Sequence, residues 1–272
     1  GAIIMTISLN GGIGSPQSLS SASQTDRQLQ QLSSGSRINS AADDAAGAAI
    51  SERLNSQLGA FDAGIRNAND SISAIQVADG ALKSLNDNIG RIQELTIQAG
   101  NGALSTQDRQ ALQEEANLLI EDSNSILENT NFNGKALLSG EQDFNIQLDQ
   151  PGKSIQLEGK DLAKEIKELG FEDVDLSSAE QASKSLETLN QASELVLSRQ
   201  SELGAVSNRV ESSIDNIAIS KVNTAEARSR ISDTDYAQVA SDLAASQIRD
   251  QVQIAVQGQA NSQRGAVLQL LS

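Results

Sequence analysis

Residues 54–92, LNSQLGAFDAGIRNANDSISAIQVADGALKSLNDNIGRI, carry a small or apolar side chain at every third or fourth position. Leu54, Leu58, Phe61, Ile65, Ala68, Ile72 and Ile75 come first. One extra three-residue step leads to Ala78, and Leu82, Leu85, Ile89 and Ile92 follow. Steps of three and four put all of these on one seam of an α-helix, the pattern of a coiled coil. The extra short step is a stammer that shifts the phase of the seam without ending it. At about 1.5 Å per residue, a helix over 44–99 is about 85 Å long, which makes a rod rather than an element of an ordinary small domain.

The helical signal recurs on both sides of this stretch. Gly100-Asn101-Gly102 ends the first helix, and glycine is expected to close it in the left-handed conformation. Ser105 or Thr106 caps the next helix, where Leu112, Ala116, Leu119, Ser123 and Ile126 keep the spacing. The short connection makes it an antiparallel neighbour. NFNG at 131–134 breaks the pattern. Phe144, Ile146 and Leu148 then alternate with polar residues, as do Ile155 and Leu157 after Gln150-Pro151-Gly152, which predicts a β-hairpin. A short helix is expected over 161–169 and a loop over 171–178, with Ser177 or Ser178 as the next cap. Ala182, Leu186, Leu189, Ser193, Val196, Leu203, Val206, Val210, Ile214 and Ile217 predict a second long helix running to about Arg230. SDTD at 232–235 interrupts it. Ser232 or Asp233 caps a terminal helix with Ala244, Ile248, Val252 and Val256 at four-residue steps.

The layout is near-palindromic and the fold class is mainly α. The N- and C-terminal halves form a long antiparallel coiled-coil-like helical rod, with a small β-hairpin region in the middle. The expected domains are terminal helices at 1–43 and 236–272, a rod of 44–140 with 176–235, and a tip of 141–175. Gly11, Gly12, Gly14 and Pro16 are poor residues for a helix interior, so the first helix is expected to start near Ser15 or later. Both terminal segments are rich in Ala, Ser and Gln, with thin apolar stripes. They bury too little to offset about 1–2 kcal/mol of backbone entropy per residue, so they are expected to order only on assembly.

Composition excludes most chemistry. The 272 residues include no histidine, cysteine or tryptophan, and only 2% are aromatic. Thiolate metal sites, histidine bases and the HExxH zinc motif are therefore impossible. Serines are plentiful, but there is no GxSxG elbow. GGIG at 11–14 lacks the rest of a nucleotide-binding fingerprint. The adjacent Asp43 and Asp44 suggest a metal site, yet no loop supplies the alternating oxygens that a hard cation needs. A net charge of −16 opposes nucleic-acid binding, and no apolar run reaches the ~20 residues that span a bilayer. The chain reads as neither an enzyme nor a cofactor-binding protein.

Several ordered motifs resemble bacterial flagellin. These are LSSGSRINSAADDAAGAAISERL (32–54), RNANDSISAIQVADGALKSLNDNIGRIQEL (66–95), NTNFNG (129–134), LGAVSNRVESSIDNI (203–217) and ARSRISDTDYAQVAS (227–241). The resemblance covers nearly all of the chain outside 141–185. It implies a structural subunit that self-assembles helically into the flagellar filament for motility and is exported through the flagellar type III apparatus to the cell exterior. The implied partners are further copies of the chain, an export chaperone at the C-terminal segment, and the filament cap and hook-junction proteins. The alternatives are a hook–filament junction protein, or a surface adhesin or polysaccharide-binding homologue.

The resemblance also implies recognition of the monomer by the host Toll-like receptor for flagellin, through Arg91, Leu95 and Glu115. The segment SSGSRINSAADDAAG (33–47) reads as an assembly joint between terminal arm and rod. Gly35, Arg37, Asp43 and Asp44 come from its first strand, with Arg228, Arg230, Asp233 and Asp235 on the return. The acids at 43 and 44 favour the positive end of the following helix, and Arg228 and Arg230 are expected to face them. Leu243, Ile248, Val252 and Val256 are the expected packing residues of the terminal helix.

Overall fold

The computed structural model describes residues 16–140, 143–148 and 154–270. In chain order these form α1 (Pro16–Ser34), α2 (Ala45–Ala99), α3 (Thr106–Asn129), β1 (Asn131–Phe132), β2 (Lys135–Ala136), β3 (Phe144–Gln147), β4 (Ser154–Leu157), α4 (Leu162–Glu168), α5 (Ala179–Ser232) and α6 (Tyr236–Leu270). The mainly helical class with a small antiparallel hairpin matches the expectation. Gly11, Gly12, Gly14 and the turn at Pro151-Gly152 lie outside the described residues. The chain divides into two compact units, Leu58–Val222 and Gly1–Gln57 with Asn223–Ser272.

In the unit Leu58–Val222 the seam is the core. Ala68, Ile75, Ala78, Leu82, Leu85, Ile89 and Ile92 of α2 are buried, as are Ala182, Leu189, Val196, Leu203, Val210 and Ile217 of α5. Polar pairs beside the seam fix the direction of packing: Gln93 with Asn190, Asn86 with Ser193, Asp79 with Gln200 and Asp62 with Lys221. One number falls as the other rises, so α2 and α5 are antiparallel. Asn88 with Asp122 and Arg91 with Glu115 set α3 antiparallel to α2 in the same way.

The end of α2 differs from the expectation. The described glycines with positive φ are Gly35, Gly134, Gly140 and Gly170, so neither Gly100 nor Gly102 supplies a left-handed closure. Instead the Gly100 N–H donates to the Thr96 carbonyl at 3.0 Å. The Arg109 guanidinium, carried on the next helix, donates to the Ala99 and Asn101 carbonyls, each at 2.9 Å. A cation therefore satisfies carbonyls at the negative end of the helix. Ser105 begins α3 with a capping box, its Oγ accepting from the Asp108 N–H while Asp108 accepts from the Ser105 N–H.

NFNG does more than stop α3. Asn133 (φ 52°) and Gly134 (φ 77°) are both left-handed and form the two-residue turn joining β1 to β2. The second hairpin pairs Ile146 with Ile155 and Gln147 with Ser154. Ile146, Leu148 and Ile155 pack with Ala68, Val210 and Ile217 in a smaller core cluster. The loop before α5 contains a short 3-10 turn at Phe171–Asp173 and is held by Gln113. Its side-chain amide donates to the Val174 carbonyl at 2.9 Å and accepts from the Leu176 N–H at 2.6 Å. Ser178 caps α5 by accepting from the Gln181 N–H.

In the other unit α1 packs along α6. Their contact is polar at its centre, where buried Ser246 Oγ donates to buried Gln28 Oε1 at 3.0 Å.

Candidate assembly joint and exposed faces

The joint is built from backbone. Ser36 and Asp233 form an antiparallel bridge. Beside it the Arg37 N–H donates to the Ser232 carbonyl at 2.6 Å and the Thr234 N–H to the Gly35 carbonyl at 3.0 Å. Ser36 Oγ also reaches the Ser232 carbonyl, and the Arg37 guanidinium donates to the Ile231 carbonyl at 2.6 Å. Arg37 thus caps the C-terminal end of α5 rather than pairing with an acid. Gly35 has φ +69°, and a methyl group there would lie 2.9 Å from the Tyr236 hydroxyl. The left-handed conformation favours glycine at this position.

The four aspartates of the joint work locally. Asp43 accepts from the Asn39 N–H, the Ser40 N–H and the Ser40 hydroxyl, which hold its carboxyl below the ordinary value of 3.8. Asp44 caps α2 by accepting from the Gly47 N–H at 2.9 Å, and its carboxylate occupies the space that a side chain at Gly47 would need. Asp235, not Ser232 or Asp233, caps α6, accepting from the Ala237 and Gln238 N–H groups. Asp233 accepts from the Ser229 hydroxyl at 2.6 Å.

The expected pairing of Arg228 and Arg230 with Asp43 and Asp44 does not form. Arg228 donates to Asn55 Oδ1 at 3.3 Å, and Arg230 pairs with Glu226 at 2.7 Å, one turn away on its own helix. Two residues apart on a helix, the two arginines point roughly 200° apart and cannot share one target. The arginine that acts through space on Asp43 is Arg27 of α1.

The apolar stripe of α6 faces outward. Ile248, Val252 and Val256 are 62%, 55% and 61% exposed, whereas Leu243 is partly buried. The stripe expected to pack the terminal helices is therefore uncovered among the described residues, where every side chain from Gln251 to Gln263 is exposed.

Of the three residues expected to meet the receptor, two are together and one is elsewhere. Arg91 Nε and NH2 donate to Glu115 Oε1 at 3.0 and 2.8 Å, and NH1 donates to Glu94 at 2.9 Å. These two carboxylates, Glu115 first, raise the guanidinium above its ordinary value. Leu95 is 1% exposed and belongs to the core, which corrects its placement on the surface. The reason lies in the seam, since Leu95 stands three residues after Ile92 and four before the buried Ala99. The exposed apolar side chain beside Arg91 is Ile97.

Sequence reasoning missed Arg199, which is 5% exposed. Its NH1 donates to Glu202 and its NH2 to the Glu158 carbonyl, each at 3.0 Å, and Lys160 also pairs with Glu202. Burial pushes the Glu202 carboxyl upward, but hydrogen bonds from Lys160 and Arg199 outweigh it and hold the group below its ordinary value. The signal was present, because Arg199 falls three residues after Val196 and four before Leu203. Among the described residues, no three acidic side chains gather as metal ligands, and no helix is long and apolar enough to cross a membrane.

Two family models match the chain: the bacterial flagellin N-terminal helical region over residues 16–143 and the C-terminal helical region over 196–271. Flagellin from Halalkalibacterium halodurans is 36% identical over 91% of this chain and 92% of its own length. The flagellar filament 30.7 kDa core protein of Treponema maltophilum is 34% identical over 92% and 93%. Flagellin from Bacillus subtilis is 32% identical over 93% and 94%. Among solved structures, Bacillus cereus flagellin superposes with a TM-score of 0.51 at 26% identity, over 56% of this chain and 88% of that one. A putative flagellar hook-associated protein from Vibrio parahaemolyticus shares the fold, with a TM-score of 0.58 at 15% identity, over 70% of this chain and all of that one.

Proposed function

The chain belongs to the bacterial flagellin family, a family of structural proteins, and on that premise we propose that it polymerises into the flagellar filament. The observation that carries this reading is the uncovered stripe of Ile248, Val252 and Val256 on α6. Isolated exposed apolar residues are ordinary, but a stripe at four-residue steps is the face of a helix that packs. Its occupant is another copy of the chain. The terminal segments, 1–43 and 236–272, supply contacts of the inner layer, where α1 and α6, already packed together in the single chain, meet further copies. In this reading the subunit leaves the cell through the flagellar type III apparatus, escorted by a chaperone on its C-terminal segment, and serves motility outside the cell. The filament cap and hook-junction proteins are its neighbours there. Monomers engage the host receptor through the Arg91–Glu115 face.

Electron microscopy of purified protein seeded with filament fragments tests the reading. Elongation into long filaments by the full chain is expected, and none by a chain lacking 237–272 whose remaining helices stay folded by circular dichroism. Seeds that do not elongate with the full chain would favour a junction role, and filaments from the truncated chain would overturn the assignment of assembly to α6.

A further inference from the structure

A guanidinium 95% buried needs an acceptor for each nitrogen it carries. Arg199 NH1 and NH2 have theirs in Glu202 and Glu158, but among the described residues no atom accepts from Nε–H. The same side chain lines a cavity of about 30 Å³ between α2, α5 and the β3–β4 hairpin. Around it stand Ile75, Phe144, Leu157 and Leu203, and the other polar side chain in its wall is Ser71. Ser71 gives its proton to the Asn67 carbonyl at 2.7 Å, which leaves its oxygen lone pairs as acceptors.

Size and charge select the occupant. A water molecule needs about 10–15 Å³ of such space, so the cavity takes one or roughly two. The charge of Arg199 is already met by Glu202 at 3.0 Å, and the other cation of the cluster, Lys160, is committed to the same carboxylate. A halide would therefore be desolvated among aliphatic and aromatic side chains without a free counter-charge. A neutral acceptor that also donates meets neither penalty. We propose that this cavity is a buried hydration site, in which water accepts from Arg199 Nε–H and donates to Ser71 Oγ. The water links α2 to α5 behind the hairpin and completes the coordination of a charge that the apolar seam otherwise opposes.

The site forms in the isolated chain, so its failure would leave the filament reading standing. The test is water-selective nuclear Overhauser spectroscopy on monomer labelled with ¹⁵N in arginine, the Arg199 Nε–H signal being the one lost in Arg199→Lys. A cross-peak to water with the sign of a long-lived complex is expected, unchanged when chloride is replaced by sulfate. Ser71→Ala, on a half-buried helical position, is expected to weaken that cross-peak several-fold. Absence of the cross-peak in the unsubstituted chain would overturn the proposal. A signal that titrates with chloride and shows no water contact would overturn it in favour of an anion, and a cross-peak indifferent to Ser71→Ala would remove Ser71 from the site.

Discussion

The carbonyl oxygen of Leu148, just past β3, lies against Gly64 of α2 so closely that a methyl group on Gly64 would overlap it. One turn along, Asn67 Nδ2 donates to the Gln147 carbonyl at 3.1 Å. The hairpin is thus seated on bare helix backbone, and the obstacle to a side chain is main chain that cannot rotate aside. Gly64→Ala is expected to destabilise the chain by about 2–3 kcal/mol. Gly80 has open space around it on the same helix, and Gly80→Ala is expected to stabilise by about 0.5–1 kcal/mol. Urea denaturation of the two variants should give shifts of opposite sign.

Leu95 and Arg91 should separate two effects that a receptor assay alone would merge. Leu95→Ala removes a buried core side chain and is expected to lose about 2–5 kcal/mol. Arg91→Ala removes an exposed pair and is expected to change stability little. If the Arg91–Glu115 face engages the receptor, Arg91→Ala lowers signalling without lowering the melting temperature. Any loss with Leu95→Ala should track its thermal destabilisation and recover when the assay is run cooler. Thermal denaturation and a reporter assay on the same preparations check both.

The α6 stripe predicts a defect confined to assembly. Val252→Asp places a charge on a side chain already 55% exposed, so monomer stability should change by about 0.5 kcal/mol or less. In a polymer the same carboxylate would be desolvated against a neighbour. Light scattering after seeding should show normal growth for the original chain and none for Val252→Asp.

Acid should weaken the turns and the cap held by aspartates. Asp43, Asp108 and Asp175 are each held below 3.8 by hydrogen bonds, from Ser40, Ser105 and Ser177 respectively. Their contribution to stability is complete above about pH 5, where the carboxyls are ionised in both folded and unfolded chains. It is lost progressively as pH falls past 3.8 and through the lower folded values. Asp108→Ala should reduce stability at neutral pH and flatten its dependence on pH in that window, as followed by helical circular dichroism.

The long helices were legible because apolar spacing of three and four persists over many turns, and β3 and β4 because Phe144, Ile146, Ile155 and Leu157 alternate around a turn. β1 and β2 were not, since two-residue strands are too short to display a period. α2 ends after Ala99 as expected, but its closure was not legible, because Arg109, which bonds the terminal carbonyls, lies on the next helix and leaves no local mark. Leu95 and Arg199 were both readable from the spacing. One was obscured by its expected surface role and the other by its charge, which interrupts an apolar seam on paper. The partners of Arg228 and Arg230 depend on angular position around α5, which proximity in a motif does not convey.

At the joint, Ser36 bonds to Ser232 across 196 residues of sequence. Closing a loop of that length is entropically late, although within its own segment the Ser36 hydroxyl also reaches the Ile38 carbonyl at 2.8 Å. A polypeptide delivered from one end therefore cannot shut the joint until all but a short remainder has arrived, from either direction. A chain broken off before Ser232 leaves Gly35 to Arg37 without their backbone partners. The bridge thus closes only once the chain through Thr234 is present, and it does not depend on α6 beyond that point.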